Sequence, residues 1–203
     1  KSLGGQVFPK TPVLEIKETS DGFRLITIQG EFWAKKILIS AGGWVKDFLS
    51  PERKKSFKIC RQVLHWLEIT PRFQDWTQYP VWMWGFGPDP EDFIYGFPSL
   101  DGKSVKMATE SFSDCEHPDA LDRKVSEKEQ ATFWETKVKG KIQGLLPNFI
   151  QSKVCFYTVT ADARFVVENW KGNPNAILVS ACSGHGFKHS AALGEKLAHQ
   201  LLA

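Results

Sequence analysis

Six residues near the end of the chain, Ser183-Gly184-His185-Gly186-Phe187-Lys188, combine types that a ligand-binding turn needs. They follow an apolar run at 176–181 and precede Leu193, Leu197 and Leu201 at helical spacing. The pattern predicts a strand, a tight glycine turn and a helix. Glycine tolerates positive φ and lets another molecule approach the backbone closely. The free amides of a helix start suit a phosphate, a carboxylate or an electron-rich ring, and Lys188 adds a full positive charge. A well-capped terminal helix with a solvated lysine satisfies the same pattern. The stretch also lacks the third glycine of a dinucleotide fingerprint.

A second junction of this kind joins Ile37-Leu38-Ile39 to Ala41-Gly42-Gly43-Trp44, where Gly42 and Trp44 suit a place beside a phosphate or ribose. A buried strand ending in a glycine turn reads equally well there. Cys155 alone reads first as an inert strand cysteine, and Lys106 as a lysine in its usual place on the solvent side of a strand. Tyr95 and Tyr157 alone are ordinary half-buried strand aromatics. Cys182, His185 and His189 have spacings that suit zinc, but a tetrahedral site needs a fourth ligand and none pairs with them, so no metal is assigned.

These residues need elements to hold them. Residues 13–17 and 23–29 alternate around a Ser20-Asp21-Gly22 turn and predict a hairpin. Residues 36–40 read as a strand covered on both faces, followed by a short helical stretch to Leu49. Residues 51–56 are charged and loop-like, and a domain crossing is placed there. Strands are predicted at 60–69, 81–86, 93–97 and 105–109, forming an antiparallel sheet, and a further alternating strand at 154–160. Trp82 and Trp84 fall on one face of theirs. Residues 126–143 predict a helix, with Ser126 and Glu129 as a capping box and Ala131, Trp134, Val138 and Ile142 on one side; Gly144 and Pro147 stop it.

The 203 residues, 42% hydrophobic with 8 Trp and 15 Phe, are ample for a packed core. A net charge of +3 with scattered Lys and Arg argues against a nucleic-acid surface. Four cysteines without a CxxC pair read as reduced thiols and point to a cytoplasmic location. No run is long and apolar enough for a membrane span, and no signal peptide is seen.

At this point the chain resembles the monomeric sarcosine oxidase and N-methyltryptophan oxidase family of flavoenzymes. The Ser183–Lys188 stretch is similar to the family's C-terminal signature. Tyr95-Gly96-Phe97-Pro98-Ser99 through Lys106, Cys155-Phe156-Tyr157-Thr158 and Arg61-Gln62-Val63 agree in order. The resemblance implies an α/β (α+β) fold: part of an FAD-binding domain at 1–50 and 163–203, with an inserted antiparallel-sheet substrate domain at 51–162. The family's N-terminal Rossmann βαβ unit is absent, so the chain corresponds to roughly the C-terminal half of such an enzyme, with a missing N-terminal half as partner.

The activity implied is oxidation of a secondary amine of the N-methyl amino acid type by hydride transfer to flavin. Hydrolysis of the imine gives an aldehyde, and O2 as acceptor gives hydrogen peroxide. The resemblance assigns Cys155 to covalent attachment of FAD. It assigns Lys106 to the flavin face, where its charge stabilises reduced oxygen. Lys188 matches a lysine that helps hold the substrate carboxylate, and Tyr95 and Tyr157 match cavity-lining tyrosines. Gly184, His185, Gly186 and Phe187 match the flavin-side turn, with a satisfied structural role as the alternative for His185. Glu110 departs from the family's sarcosine oxidases, which carry a histidine there; with Trp82 and Trp84 nearby, this leaves room for a bulkier or differently charged amine. The competing reading is a non-catalytic fragment or binding module that cannot hold FAD alone.

Overall fold

The computed structural model describes residues 4–73, 75–110, 113–180 and 183–202. In chain order the strands are β1 (Val13–Thr19), β2 (Gly22–Thr27), β3 (Gly30–Ala34), β4 (Ile37–Ile39), β5 (Phe57–Ile69), β6 (Trp82–Gly85), β7 (Phe93–Gly96) and β8 (Ser104–Thr109), then β9 (Ser113–Cys115), β10 (Leu145–Thr160), β11 (Val166–Asn169) and β12 (Ala176–Ser180). The α-helices are α1 (Pro51–Lys54), α2 (Glu127–Phe133) and α3 (Ser190–Leu202). The chain divides into two compact units, Lys1–Val45 with Asp162–Ala203, and Lys46–Ala161. Among the described residues no helix is long and apolar enough to cross a membrane.

The first unit holds two sheets. β1, β2 and β3 form an antiparallel meander, in which β3 adds a strand that the two-stranded hairpin reading lacked. Gly22 sits at φ +143, and a side chain there would run into the Ala34 carbonyl, so the turn before β2 requires glycine. The other sheet has the order β11-β12-β4, with β12 and β4 parallel. Every residue of β12 is buried, and Ile177 and Val179 pack under Leu197 of α3 with Leu193 and Leu201 beside it. β4 departs from expectation: Leu38 is 41% exposed, because this three-residue strand lies at the edge of its sheet and only Ile37 and Ile39 turn inward.

The second unit is built on one antiparallel sheet of order β10-β5-β8-β7-β6, with β9 also pairing β5. One face of it carries the core, where Leu67, Ile69, Val105, Met107 and Leu145 pack against Trp76, Phe133 and Val138. The Ser126–Glu129 capping box forms as expected. The helix is shorter than the sequence pattern predicts. It is α from Glu127 to Phe133, widens to a π turn over Trp134–Val138 and ends there, since Lys139 leaves helical geometry and Gly140 takes φ +73. The widened turn buries Phe133 and Val138 and leaves Ala131 exposed. β10 correspondingly begins at Leu145, well before residue 154. Pro147 is tolerated inside it because β10 is an edge strand, where a missing N–H costs no ladder bond. Residues 51–54 form a short helix rather than a loop, capped by the Ser50 hydroxyl, which accepts from the Arg53 N–H at 3.3 Å.

Candidate functional site

Strand pairing decides which side chains share the face of the second sheet opposite the core. Lys106 lies across from Trp66, Tyr95 across from Ala108, and Tyr157 across from Cys60. Tyr95 and Tyr157 bring their hydroxyls to 3.3 Å although they come from strands at different ends of the sheet. Phe97, two residues beyond Tyr95, stacks edge-on to it with centroids 6.1 Å apart. The Lys106 ammonium stands 4.8 Å from the Phe97 ring and 5.4 Å from the Trp66 ring. It has no carboxylate partner among the described residues. Such a cation is held by ring quadrupoles rather than by an opposite charge, so its field remains available to a ligand.

Cys155 is on the same face of β10 as Tyr157, two residues away and half-buried. Burial pushes the Tyr157 phenol well above its ordinary pKa, helped by the hydrogen bond with Tyr95 and by the charges of Cys155 and Glu110. Tyr157 is therefore a neutral hydrogen-bonding group at physiological pH. Glu110, half-buried at the end of β8, has its carboxyl pKa raised by desolvation. Its backbone N–H donates to the Phe93 carbonyl at 3.1 Å, and its carboxylate has no partner among the described residues.

Of Arg61-Gln62-Val63 in β5, Gln62 shares this face with Cys155, and Arg61 turns to the α2 side. The Arg61 guanidinium meets Glu129 at 2.7 Å and donates to the Asp122 and Lys124 carbonyls, which ties the loop before α2 to the sheet. The Gln62 side-chain amide donates to the Thr109 carbonyl, where β8 parts from β5 before β9 takes over the pairing. Trp82 and Trp84 do not join the group around Glu110. Trp82 pairs with Gly96 and Trp84 with Ile94, one step out of phase with Tyr95, so both turn to the core face. The alternation of β-strand side chains overturns the nearness read from sequence.

The glycine turns belong to the first unit. β4 and β12 run parallel as neighbours, so the chain leaves both at the same edge of the sheet, toward Gly42 and toward Ser183-Gly184. Gly42 has φ +54, Ser183 φ +45 and Gly184 φ +78, conformations that favour glycine. In open α/β sheets the carboxyl ends of parallel strands are where ligands bind. Trp44 follows Gly42 in a 3-10 turn and is 37% exposed. His185 is held by its own unit: its Nε2 is 2.9 Å from the Ala163 carbonyl and its ring stacks on Phe165 at 5.0 Å. Phe187 is 93% exposed, while Gly186 has ordinary right-handed geometry. Lys188 lies in a 3-10 turn at Phe187–His189, before α3 begins at Ser190, and is exposed. Cys182 of the zinc alternative lies outside the described residues, and Phe165 packs against both His185 and His189.

Sequence reasoning missed Trp66 as part of the site. Nothing in the chain flags it until the β5–β8 register sets it opposite Lys106. Phe97 was visible within its motif but without a role.

Comparison with known proteins identifies the family and supports the fold. A family model described as FAD dependent oxidoreductase matches residues 1–200. N-methyl-L-tryptophan oxidases from Shigella sonnei and from Escherichia coli strain SE11 are each 29% identical over 192 residues, covering 91% of this chain and 48% of theirs. The chain thus spans about half the length of these curated relatives. Among solved structures, NikD, an unusual amino acid oxidase essential for nikkomycin biosynthesis, superposes with TM-score 0.72 at 17% identity, over 94% of this chain and 50% of that one. Glycine oxidase from Geobacillus kaustophilus superposes with TM-score 0.67 at 17% identity, over 98% and 50%. At such identities the structural likeness speaks for the fold.

Proposed function

From the premise that the chain belongs to the FAD dependent oxidoreductase family, we propose that it forms part of an oxidase acting on a secondary amine of the N-methyl amino acid type. The observation that carries this reading is the convergence of Lys106, Tyr95, Tyr157 and Cys155 on one sheet face. The donor set fits a flat, electron-accepting ring: a cation without a carboxylate partner among the described residues, two hydrogen-bonded phenols, aromatic walls and a thiol at one side. The chemistry FAD supplies when bound is acceptance of a hydride from the carbon beside the amine nitrogen, and return of the electrons to dioxygen as hydrogen peroxide.

This chain's own residues do the rest. Lys106 offers a fixed positive charge to the negative charge that develops as oxygen is reduced. Tyr95 and Tyr157 line the substrate side and orient it through paired hydroxyls. Cys155 would be the residue that holds the flavin covalently, through its sulfur. In the first unit, the Gly42 and Gly184 turns offer backbone amides to the cofactor, with Trp44, His185, Gly186 and Phe187 around them. Lys188 suits a substrate carboxylate. Glu110, in place of histidine, disfavours sarcosine itself and favours a larger amine or one with a different charge.

The test is transient kinetics on the FAD-loaded protein. Lys106→Met is expected to slow reoxidation by oxygen about a hundredfold while reduction by amine changes far less. Equal loss in both half-reactions, or none, overturns the assignment. The coverage of about half the relatives' length supports a second reading, a module that does not hold FAD by itself. A colourless protein after purification and FAD soaking selects that reading.

A further inference from the structure

The core face of the second sheet carries a cleft that the proposed oxidase chemistry does not use. Its volume is about 380 Å³, and its walls are Phe73, Trp76, Tyr79, Trp82 and Trp84, with Lys141 as the one charged group among the described lining residues. We propose that this cleft binds a small planar aromatic anion, an aryl carboxylate of about two fused rings.

Three observations carry the assignment. The walls are seated rather than loosely clustered: the Trp82 ring rests on Gly96 and Phe73 on Gly144, places where even a Cβ would collide with the ring. Trp76 joins them, with ring centroids 6.3 Å from Phe73, 5.0 Å from Tyr79 and 6.3 Å from Trp82. Rings fixed in this way form a slot without paying for order when a flat ligand enters. Second, Trp76 is 6% exposed and its indole nitrogen is buried behind the wall, so the cleft presents aromatic ring surface, which suits a flat aromatic body. Third, the charge is one-sided. Lys141 is exposed, donates to the Thr136 carbonyl at 2.7 Å and stands 5.0 Å from the Phe86 ring, and no described carboxylate lines the cleft or neutralises it. A cationic ligand finds no counter-charge there; an anion does. The volume falls within the range of small-ligand sites and suits a bicyclic ring.

The site stands apart from the Lys106 face, since Trp82 and Trp84 alternate with Met83 on β6 and Met83 points to the other side. The test is calorimetric titration with 1-naphthoate, with 1-naphthamide as neutral isostere and 1-naphthylmethylamine as cation. The naphthoate is expected to bind more tightly than the amide by roughly two- to fivefold, and the amine weakest. Lys141→Gln is expected to abolish the preference for the anion, and Trp84→Ala to weaken all binding about tenfold. Met83→Ser, on the same strand but the opposite face, is expected to change nothing. Trp84 is 41% exposed, so its removal leaves the core intact; circular dichroism checks this, and Lys141→Gln tests the proposal independently. No heat at millimolar naphthoate overturns the proposal. So does an anion preference that survives Lys141→Gln, or binding lost with Met83→Ser and kept with Trp84→Ala.

Discussion

His65 sits in the middle of β5 with its side chain in the core, 3% exposed. Its ring lies 4.3 Å from Phe133 and 5.1 Å from Phe149, and its Nδ1 is 2.8 Å from the Ser152 hydroxyl, which also receives the Gln130 amide at 3.0 Å. Burial lowers its pKa from 6.5 to about 4, with only a partial opposing pull from Glu129. The folded protein therefore holds this imidazole neutral while the unfolded chain protonates it near pH 6.5. Stability from this group is complete above pH 6.5 and is lost as the pH falls toward 4. At roughly 1.4 kcal/mol per pH unit the loss totals about 3 kcal/mol, a large share of the stability of an ordinary domain. The assay is urea unfolding followed by tryptophan fluorescence between pH 8 and pH 4, on the protein and on His65→Gln. The glutamine can still reach Ser152 but carries no titratable proton. The variant is expected to be less stable at pH 8 yet to lose about 3 kcal/mol less on acidification. Parallel pH curves for the two proteins, or an imidazole titrating near 6.5 by NMR in the folded state, refute the reasoning.

Two further outcomes follow from the geometry. Gly96→Ala places a methyl group inside the Trp82 ring and is expected to cost about 1–3 kcal/mol, read as a lower urea midpoint. Cys155→Ser in the FAD-loaded protein is expected to release all flavin on acid denaturation, whereas the unmodified protein keeps its yellow colour in the precipitate. Flavin released equally by both removes Cys155 from the attachment role.

Much of the architecture was legible because it rests on local signals. The Ser126 box, the Asp21-Gly22 turn and the alternation in β5, β8 and β10 each depend on neighbours a few residues away. What failed depended on partners far along the chain. Pro147 reads as a stop signal until β10 is known to be an edge strand. Three apolar residues at 37–39 read as doubly covered, and only the sheet order shows which flank stays open. The helix after Ser126 kept its apolar spacing past its true end because Lys139 and Gly140 break it through backbone geometry, not through polarity. For the site, residue types and motif spacing singled out Lys106, Tyr95, Tyr157 and Cys155. Their common face, the supporting Trp66 and the separation of Trp82 and Trp84 all required the register.

The pairing of β5 with β10 runs from Leu145 opposite Ile69 to Thr160 opposite Phe57. For much of its length β5 is flanked on both sides, while β10 has a neighbour on one side only among the described residues. Deuterium uptake should therefore be lopsided along this ribbon: slow at nearly every amide of β5, but alternating fast and slow along β10 as successive N–H groups face inward and outward. Cys155 and Tyr157 thus ride on a beam that is stiff in position and yet half-open to solvent along its outer flank.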